Sequence, residues 1–539
     1  MEANFAAVWE AIADSIGDSP AIVQGARRLS WADYEDRAAR LAAAYTEAGV
    51  VKDSKVALFM YNSAAYQEAY FAAFKQRAVP INVNYRYLDD ELRYLLDNSD
   101  SEVVVFHSTL GERIAAVRDD LPDVRRWIEV DDGGTPLDAV DRLDDVIETT
   151  DPAPRITRSA EDTSMVYTGG TTGMPKGVMG TVGPGVTVGL QTVPPMIGDP
   201  PIEIDEVAAR AARFVEEDRQ IASLTACPLM HGTGMGIGSN PIMVCGGRLI
   251  LLEDRHLDPA EIWDTAEREH ATSITVVGDP FARPMLRQLD VDADKGKTRD
   301  LSSIKVISSA GAMFSREIKD GLCDHLPQLL ILDIIASTEA AMGQSFHSKD
   351  RPASTGIFTV NAQTKVLRDD GTEVGADGQE VGTIAVRSSG RAGYYKDEEK
   401  TASTFREIDG ETWTYTGDQA TVAPDGAVTL LGRGSQVINS AGEKVFAEEV
   451  EETVKTHPEV SDCLVVRLPD ERFGNRVVAV VSATDLAAGV EEASIIAHTK
   501  ARLAHYKAPR QVVVTDHVPR APNGKADYKT ARAIADTAG

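Results

Sequence analysis

At 539 residues, 43% hydrophobic and with a net charge of −29, the chain has length for about three packed units and is strongly acidic. Nucleic-acid binders carry a basic footprint, which is absent here, and the acidity disfavours anionic lipid. No apolar run approaches the ~18 residues that would mark a membrane span, and the acidic opening MEANFAAVWEAIADSIGD lacks the basic region of a secretory signal, so a cytoplasmic location is expected. Cys227, Cys245, Cys323 and Cys463 form no CxxC, and they read as small buried hydrophobes in a reducing compartment.

Along the chain, Ser30 with Asp33 has the pattern of a capping box, opening a helix through RAARLAAAYTEAG that stops near Gly49. VALFM, helical AAYQEAYFAAFKQ, AVPINV, helical DDELRYLLDNS and VVVF follow, a βαβ texture that predicts parallel sheet. The Gly/Pro-rich stretch 183–205 predicts a long surface loop. The alternation resumes with SITVVG, helical PFARPMLRQL, IKVISSAG and LLILDII. From about residue 355, strands such as GTIAVRS and TWTYTGDQATV, separated by Gly and Asp-Gly turns, predict an antiparallel, barrel-like portion. Beyond Gly432 a smaller α+β unit is expected, with helices in AEEVEETVKTH and ASIIAHTKARLAH and strands in DCLVVRLPD, RVVAVVSA and QVVVTD. The reading is an α/β fold: an N-terminal domain over 1–431 made of βα subdomains plus the barrel-like portion, a hinge at 432–436, and a C-terminal domain over 437–539.

The sharpest chemical signal is Tyr167-Thr168-Gly169-Gly170-Thr171-Thr172-Gly173-Met174-Pro175-Lys176-Gly177. Glycines let successive backbone N–H groups converge on one anion, threonine hydroxyls add donors and Lys176 adds charge, as a polyphosphate requires. It is not a Walker A loop, and neither is Gly296-Lys297-Thr298, where Val291 occupies the first glycine position. Five more strings follow it: Pro228-Leu229-Met230-His231-Gly232, Ser309-Ala310-Gly311-Ala312, Ser337-Thr338-Glu339, Tyr415-Thr416-Gly417-Asp418, and Gly432-Arg433 running on to Asn439-Ser440-Ala441-Gly442-Glu443-Lys444-Val445. Pro522-Asn523-Gly524-Lys525 closes the series.

In content and order these strings resemble the motifs of the adenylate-forming superfamily: acyl-CoA synthetases, peptide-synthetase adenylation domains and luciferases. The resemblance spans nearly the whole chain. It implies an acyl-CoA synthetase-like fold with a mobile C-terminal domain, and ATP, Mg²⁺ and coenzyme A as reactants and cofactor. The implied nucleotide contacts are Thr168, Gly169, Gly170, Thr171, Thr172, Gly173 and Lys176 for phosphate, and Ala310, Gly311, Ala312, Asp333, Ala336, Ser337 and Thr338 around the base. Asp418 is implied for both ribose hydroxyls and Arg433 for the phosphate or ribose side. Thr168 and Glu339 are implied near Mg²⁺, His231 at the acyl carboxylate, and Lys525 as the catalytic lysine of adenylation. Gly442 and Lys444 are implied along a tunnel for the pantetheine thiol, presented when the C-terminal domain swings and withdraws Lys525.

These roles make chemical sense. A carboxylate is already a nucleophile, so the task is to bring two anions together and stabilise the charge that develops as pyrophosphate leaves. Three departures from the family pattern stand out: Ser435-Gln436 at the hinge, Ile335-Ala336 before Ser337, and Gly180-Thr181-Val182 where a histidine often follows. The strings at 79–96, 275–286 and 432–452 resemble bacterial fatty-acyl and sterol-side-chain CoA ligases. The expected partner is therefore a small carboxylic acid, medium- or long-chain, branched or polycyclic, with no nucleic acid and no transmembrane segment; a homodimer is an assembly this reading admits. Aryl acid–CoA ligase, acyl-AMP ligase loading a carrier protein, luciferase-like oxygenase and non-catalytic homologue are the alternatives. No carrier unit with its serine site is read in these residues, which disfavours carrier loading as the expectation, and Thr168, Glu339, Asp418 and Lys525 are all intact.

Overall fold

The structure is a computed structural model. It describes the chain apart from residues 171–172, 389–391, 441–442, 471–473, 486–489, 522–523 and 539, and apart from the side chains of 169, 170, 173, 433, 435, 439, 443, 444 and 474.

The principal sheet has eight strands. Its centre, in spatial order Leu330–Ala336, Val306–Ala310, Ser273–Val276, Ala222–Thr225, Arg248–Leu251 and Pro20–Gln24, is parallel throughout. Antiparallel strands Ala341–His347 and Arg27–Ser30 finish the two edges. Parallel neighbours need long crossovers, supplied here by helices such as Pro259–Arg268, Gly278–Asp294 and Arg316–His325. Helices on both faces explain why Val306–Ala310 is buried at every position and reads as an unbroken apolar or small-residue run. A second, five-stranded sheet is parallel and carries Val79–Asn82, Lys55–Phe59 and Ser101–His107. The expected βαβ alternation is therefore found in both sheets.

The capping box at Ser30 and Asp33 is formed, and it opens the Trp31–Glu47 helix. Trp31, Tyr34, Ala38, Leu41, Ala42 and Tyr45 are buried at helical spacing, and Gly49 takes φ +82° just beyond the helix end.

The loop expected over 183–205 is corrected: Gly183–Met196 is a helix. Pro184 lies in its first turn, where a missing N–H costs nothing. Val186, Leu190 and Val193 are buried along one face, and Pro194 and Pro195 fall in the last turn. Gly189 lets this helix touch the Asn240–Met243 helix: a Cβ there would lie 2.6 Å from Val244 Cγ2 and 2.9 Å from Pro241 Cα. The glycines that look like loop signals thus serve close packing. Gly189→Ala is expected to cost about 1–3 kcal/mol through overpacking, read as a lower unfolding midpoint.

From residue 357 a six-stranded antiparallel sheet follows, in which Glu411–Val422 pairs with Val428–Arg433 and Gly382–Arg387. The smaller C-terminal unit holds the hairpin Val437–Ser440/Glu443–Phe446, helix Ala447–Lys455, and a sheet of Val460–Asp470, Gly474–Ala483 and Gln511–Val514. The helix expected through ASIIAHTKARLAH is shorter, Glu492–Lys500, and a closing helix Tyr528–Thr537 was not anticipated. All four cysteines are buried and unpaired. Among the described residues, no helix is long and apolar enough to cross a membrane.

Candidate active site

The glycine- and threonine-rich string forms a β-hairpin, Thr163–Gly170 against Gly173–Thr181, with Thr168 opposite Lys176 and Gly170 opposite Gly173. Its tip, Thr171 and Thr172, lies outside the described residues, as do the side chains at 169, 170 and 173. A Cβ at Gly177 would meet Met165 Sδ and the Tyr167 ring, both at 2.9 Å, so glycine is required for that ring to lie across the hairpin. Lys176 Nζ pairs with Asp397 Oδ2 at 2.6 Å, and about two-fifths of the lysine side chain remains exposed.

Two asparagines that motif reading passed over fasten the site's segments together: Asn82 holds the hairpin to Met230, and Asn62 holds the 227–229 segment. Asn82, at the end of Val79–Asn82, accepts from Tyr167 N–H at 2.7 Å and donates to the carbonyls of Tyr167 (2.8 Å) and Met230 (2.7 Å). Asn62 accepts from Leu229 N–H at 2.7 Å and donates to Cys227 O at 3.0 Å. Asn82 ends a parallel strand and Asn62 lies in the loop three residues beyond the end of another, Lys55–Phe59, the usual side for ligand sites in open α/β sheets. That position is the signal that could have found them.

His231 leads into a π-helical turn, Gly234–Ser239. Burial, reinforced by the Lys525 charge, pushes its imidazole down to about 3, so it is neutral near pH 7. Its Nε2 is buried and, among the described residues, has no hydrogen-bond partner. A buried polar atom left in this state calls for an explanation.

Ala310-Gly311-Ala312 leaves the end of the buried Val306–Ala310 strand, with Gly311 at φ +92°. Ser309 Oγ accepts from Gly278 N–H at 2.9 Å, and Asp279 N–H donates to Met313 O at 2.9 Å, which locks this turn to the start of the Gly278–Asp294 helix. Ser337-Thr338-Glu339 is the turn between Leu330–Ala336 and Ala341–His347, closed by Ser337 N–H to Ala340 O at 2.9 Å. Glu339 Oε1 accepts from Tyr394 OH. Tyr394 pairs with Val178 in the hairpin's sheet, so Glu339 is tied to the strands that carry Thr168. Ala336 ends its strand at a register shift. Asp333, on the same strand, is 4% exposed, and its Oδ2 accepts from Lys319 Nζ at 2.6 Å. Burial lifts its carboxyl above the usual range against the pull of Lys319.

Asp418 is buried on Glu411–Val422, follows Gly417 (φ +80°) and pairs with Arg433 across the sheet. The side chains of Arg433, Ser435 and Lys444, and all of Gly442, lie outside the described residues, as do Pro522 and Asn523.

Lys525 comes from the C-terminal unit on a tight turn. Gly524 N–H donates to Ala521 O at 2.9 Å and Ala521 N–H to Lys525 O at 2.7 Å. Arg520, doubly bound to Asp462 at 2.6 and 2.7 Å, also donates to Gly524 O at 3.1 Å. The lysine arrives at the turn after Ala310: its Cε lies 3.3 Å from where a Gly311 Cβ would stand, and Thr233 Oγ1 lies 3.4 Å from the same point. A cation, a neutral histidine and a positive-φ glycine turn therefore converge from separate parts of the chain, and Asn82 ties the glycine- and threonine-rich hairpin to the residue before that histidine. Such a set can hold a nucleotide and neutralise charge developing between phosphate and carboxylate.

Comparison with known proteins gives a consistent match. Residues 9–395 match the family described as AMP-binding enzyme, and residues 449–525 match the AMP-binding enzyme C-terminal domain. The chain is 35% identical to a medium/long-chain-fatty-acid–CoA/3-oxocholest-4-en-26-oate–CoA ligase of Mycolicibacterium smegmatis, over 99% of this chain and 97% of that protein. It is 36% identical to a 3-oxocholest-4-en-26-oate–CoA ligase of Rhodococcus rhodochrous, over 99% and 96% of the two chains. The crystal structure of the anthranilate CoA ligase AuaEII with anthranoyl-AMP superposes with a TM-score of 0.84 over 100% of both chains at 21% identity, a likeness of fold.

Proposed function

The chain belongs to the AMP-binding enzyme family, and from that premise we propose that it is an ATP-dependent acid–CoA ligase acting on medium- to long-chain fatty acids or polycyclic, sterol-side-chain-like acids. The reaction has two stages: carboxylate and ATP give acyl-AMP and pyrophosphate, then acyl-AMP and CoA give acyl-CoA and AMP. The observation that carries this reading is the arrival of Lys525 beside Gly311, next to the buried neutral His231.

In the first stage the acid's carboxylate oxygen attacks the α-phosphorus and the bond to pyrophosphate breaks. Lys525 stabilises the carboxylate and the bridging oxygen as they approach, and His231 closes the carboxylate end of the pocket without adding charge. The hairpin at 168–176 cradles the polyphosphate, the turns at 310–312 and 336–338 flank the base, and Asp418 accepts from the ribose hydroxyls, with Arg433 beside it on the neighbouring strand. The pairing of Asp333 with Lys319 favours a supporting role beneath the 336–339 turn.

The donor set also fits magnesium: Glu339 supplies one carboxylate and Thr168 one hydroxyl, and a hard cation of this kind completes its shell with phosphate oxygens and water. When bound there, it would neutralise phosphate charge. Glu339→Gln is expected to raise the Mg²⁺ concentration for half-maximal adenylation by about tenfold or more, since a charged ligand is lost. A magnesium titration of pyrophosphate release checks this, and an unchanged midpoint would remove Glu339 from the metal site.

For the second stage we place a hinge at 432–436, about which the 437–539 domain withdraws Lys525 and presents Gly442 and Lys444 to the pantetheine arm. ATP and CoA as cosubstrates favour a cytoplasmic location. The acid class is tested by thioester formation across fatty, steroid-side-chain and aryl acids. Turnover confined to aryl acids would overturn it.

A further inference from the structure

The turn carrying Lys525 rests on a specific seat. A Cβ on Gly524 would lie 3.1 Å from Phe281 Cε2 and 3.2 Å from Pro280 Cβ, so the turn lies flush on the start of the Gly278–Asp294 helix. Gly524 holds φ +76°, a conformation that L side chains rarely adopt. The same helix start is locked to the turn at 311–313 by Gly278 and Asp279, so one rigid element touches both the nucleotide-side turn and the lysine turn. Charges surround this contact. Asp279 Oδ1 accepts from Ser315 N–H at 2.8 Å and Oγ at 3.1 Å, and its Oδ2 accepts from Arg283 at 3.0 Å. On the C-terminal side Lys455 is paired with Glu452, and Asp279 acts electrostatically on both, Arg283 on Glu452.

We propose that Pro280 and Phe281 are positioning residues for adenylation alone: they form the seat that fixes the height and angle at which Lys525 enters the site, with the Asp279/Arg283 and Glu452/Lys455 charges bordering it. The seat carries no reacting group. It acts because a lysine on a turn delivers its charge only as accurately as the turn is docked, and a displacement of about 1 Å can cost on the order of 10²-fold in rate. Thioester formation requires Lys525 to leave, so it does not depend on the seat. This inference rests on the assignment of Lys525 to adenylation.

The test uses the full-length protein with dodecanoic acid as probe. ATP–pyrophosphate exchange reads adenylation, and thioester formation from supplied dodecanoyl-AMP and CoA reads the second stage. Phe281→Ala and Gly524→Ala are each expected to lower the exchange kcat about tenfold or more, with the KM for ATP and the thioester rate within about twofold of the parent. Phe281→Leu, which keeps an apolar seat, should recover much of the loss. Phe281 is a core residue, so Gly524→Ala, which changes the contact from the C-terminal unit's side, carries the test if Phe281→Ala is unstable. Equal losses in both stages, or no loss of exchange in either variant, would overturn the seat. Lys525→Ala is run alongside: if exchange survives there, the assignment of the lysine falls first.

Discussion

Lys525→Ala is expected to cut acyl-adenylate formation by about 10²–10³-fold, the loss typical when one preorganised charge-stabilising group is removed. Thioester formation from supplied acyl-AMP should stay close to the parent rate. The split follows from the geometry. Lys525 enters from the C-terminal unit to lie beside Gly311 and close enough to His231 to depress its basicity. In the proposed reaction it offsets the repulsion between the carboxylate and the triphosphate, a repulsion that exists only before pyrophosphate has left. Single-turnover assays of the two stages check the split, and an equal loss in both would remove the lysine from its assigned role.

Asp418→Ala is expected to lower kcat/KM for ATP by about 10- to 100-fold. Hydrogen bonds to a charged acceptor contribute about 1.5–3 kcal/mol, and each 1.4 kcal/mol is about tenfold. Asp418 is buried within the Glu411–Val422 strand next to a register shift, and Gly417 with φ +80° precedes it, so the backbone fixes the direction of its carboxylate. The loss should appear mainly in the KM for ATP, with thioester formation from supplied acyl-AMP less affected. Steady-state kinetics with ATP varied decide it, and an unchanged KM would place the ribose elsewhere.

Much of this molecule is legible from residue order alone. Parallel strands buried on both faces leave apolar runs such as those at 273–276 and 306–310, and the Ser30–Asp33 capping box writes a helix start directly into four residues. The segment 183–196 is misleading because the same residues serve two purposes: Gly189 marks a loop by frequency, yet here it admits the backbone of Pro241. Within the site, local motifs mark the groups proposed to touch nucleotide, since phosphate, ribose and metal chemistry each need particular atoms at short spacing. The groups that fasten motifs together are invisible in that reading. Asn82 lies 85 residues from Tyr167 and 148 from Met230, and only the fold brings the three together. Asp333 is another such case: it lies within a motif region, and its ion pair with Lys319 on the Arg316–His325 helix is visible only in the fold. No motif marks where an acid's apolar chain would lie, because scattered apolar side chains are chemically the same as core.

The central claim is that one chain activates an acid as its adenylate and then transfers it to CoA. The most direct measurement is the product balance with ATP, magnesium and dodecanoic acid, with and without CoA. Equal amounts of AMP, pyrophosphate and dodecanoyl-CoA, with release stimulated by CoA, are the predicted result. Pyrophosphate release indifferent to CoA, with acyl-AMP accumulating and no thioester formed, would contradict the ligase and point to transfer onto a different acceptor.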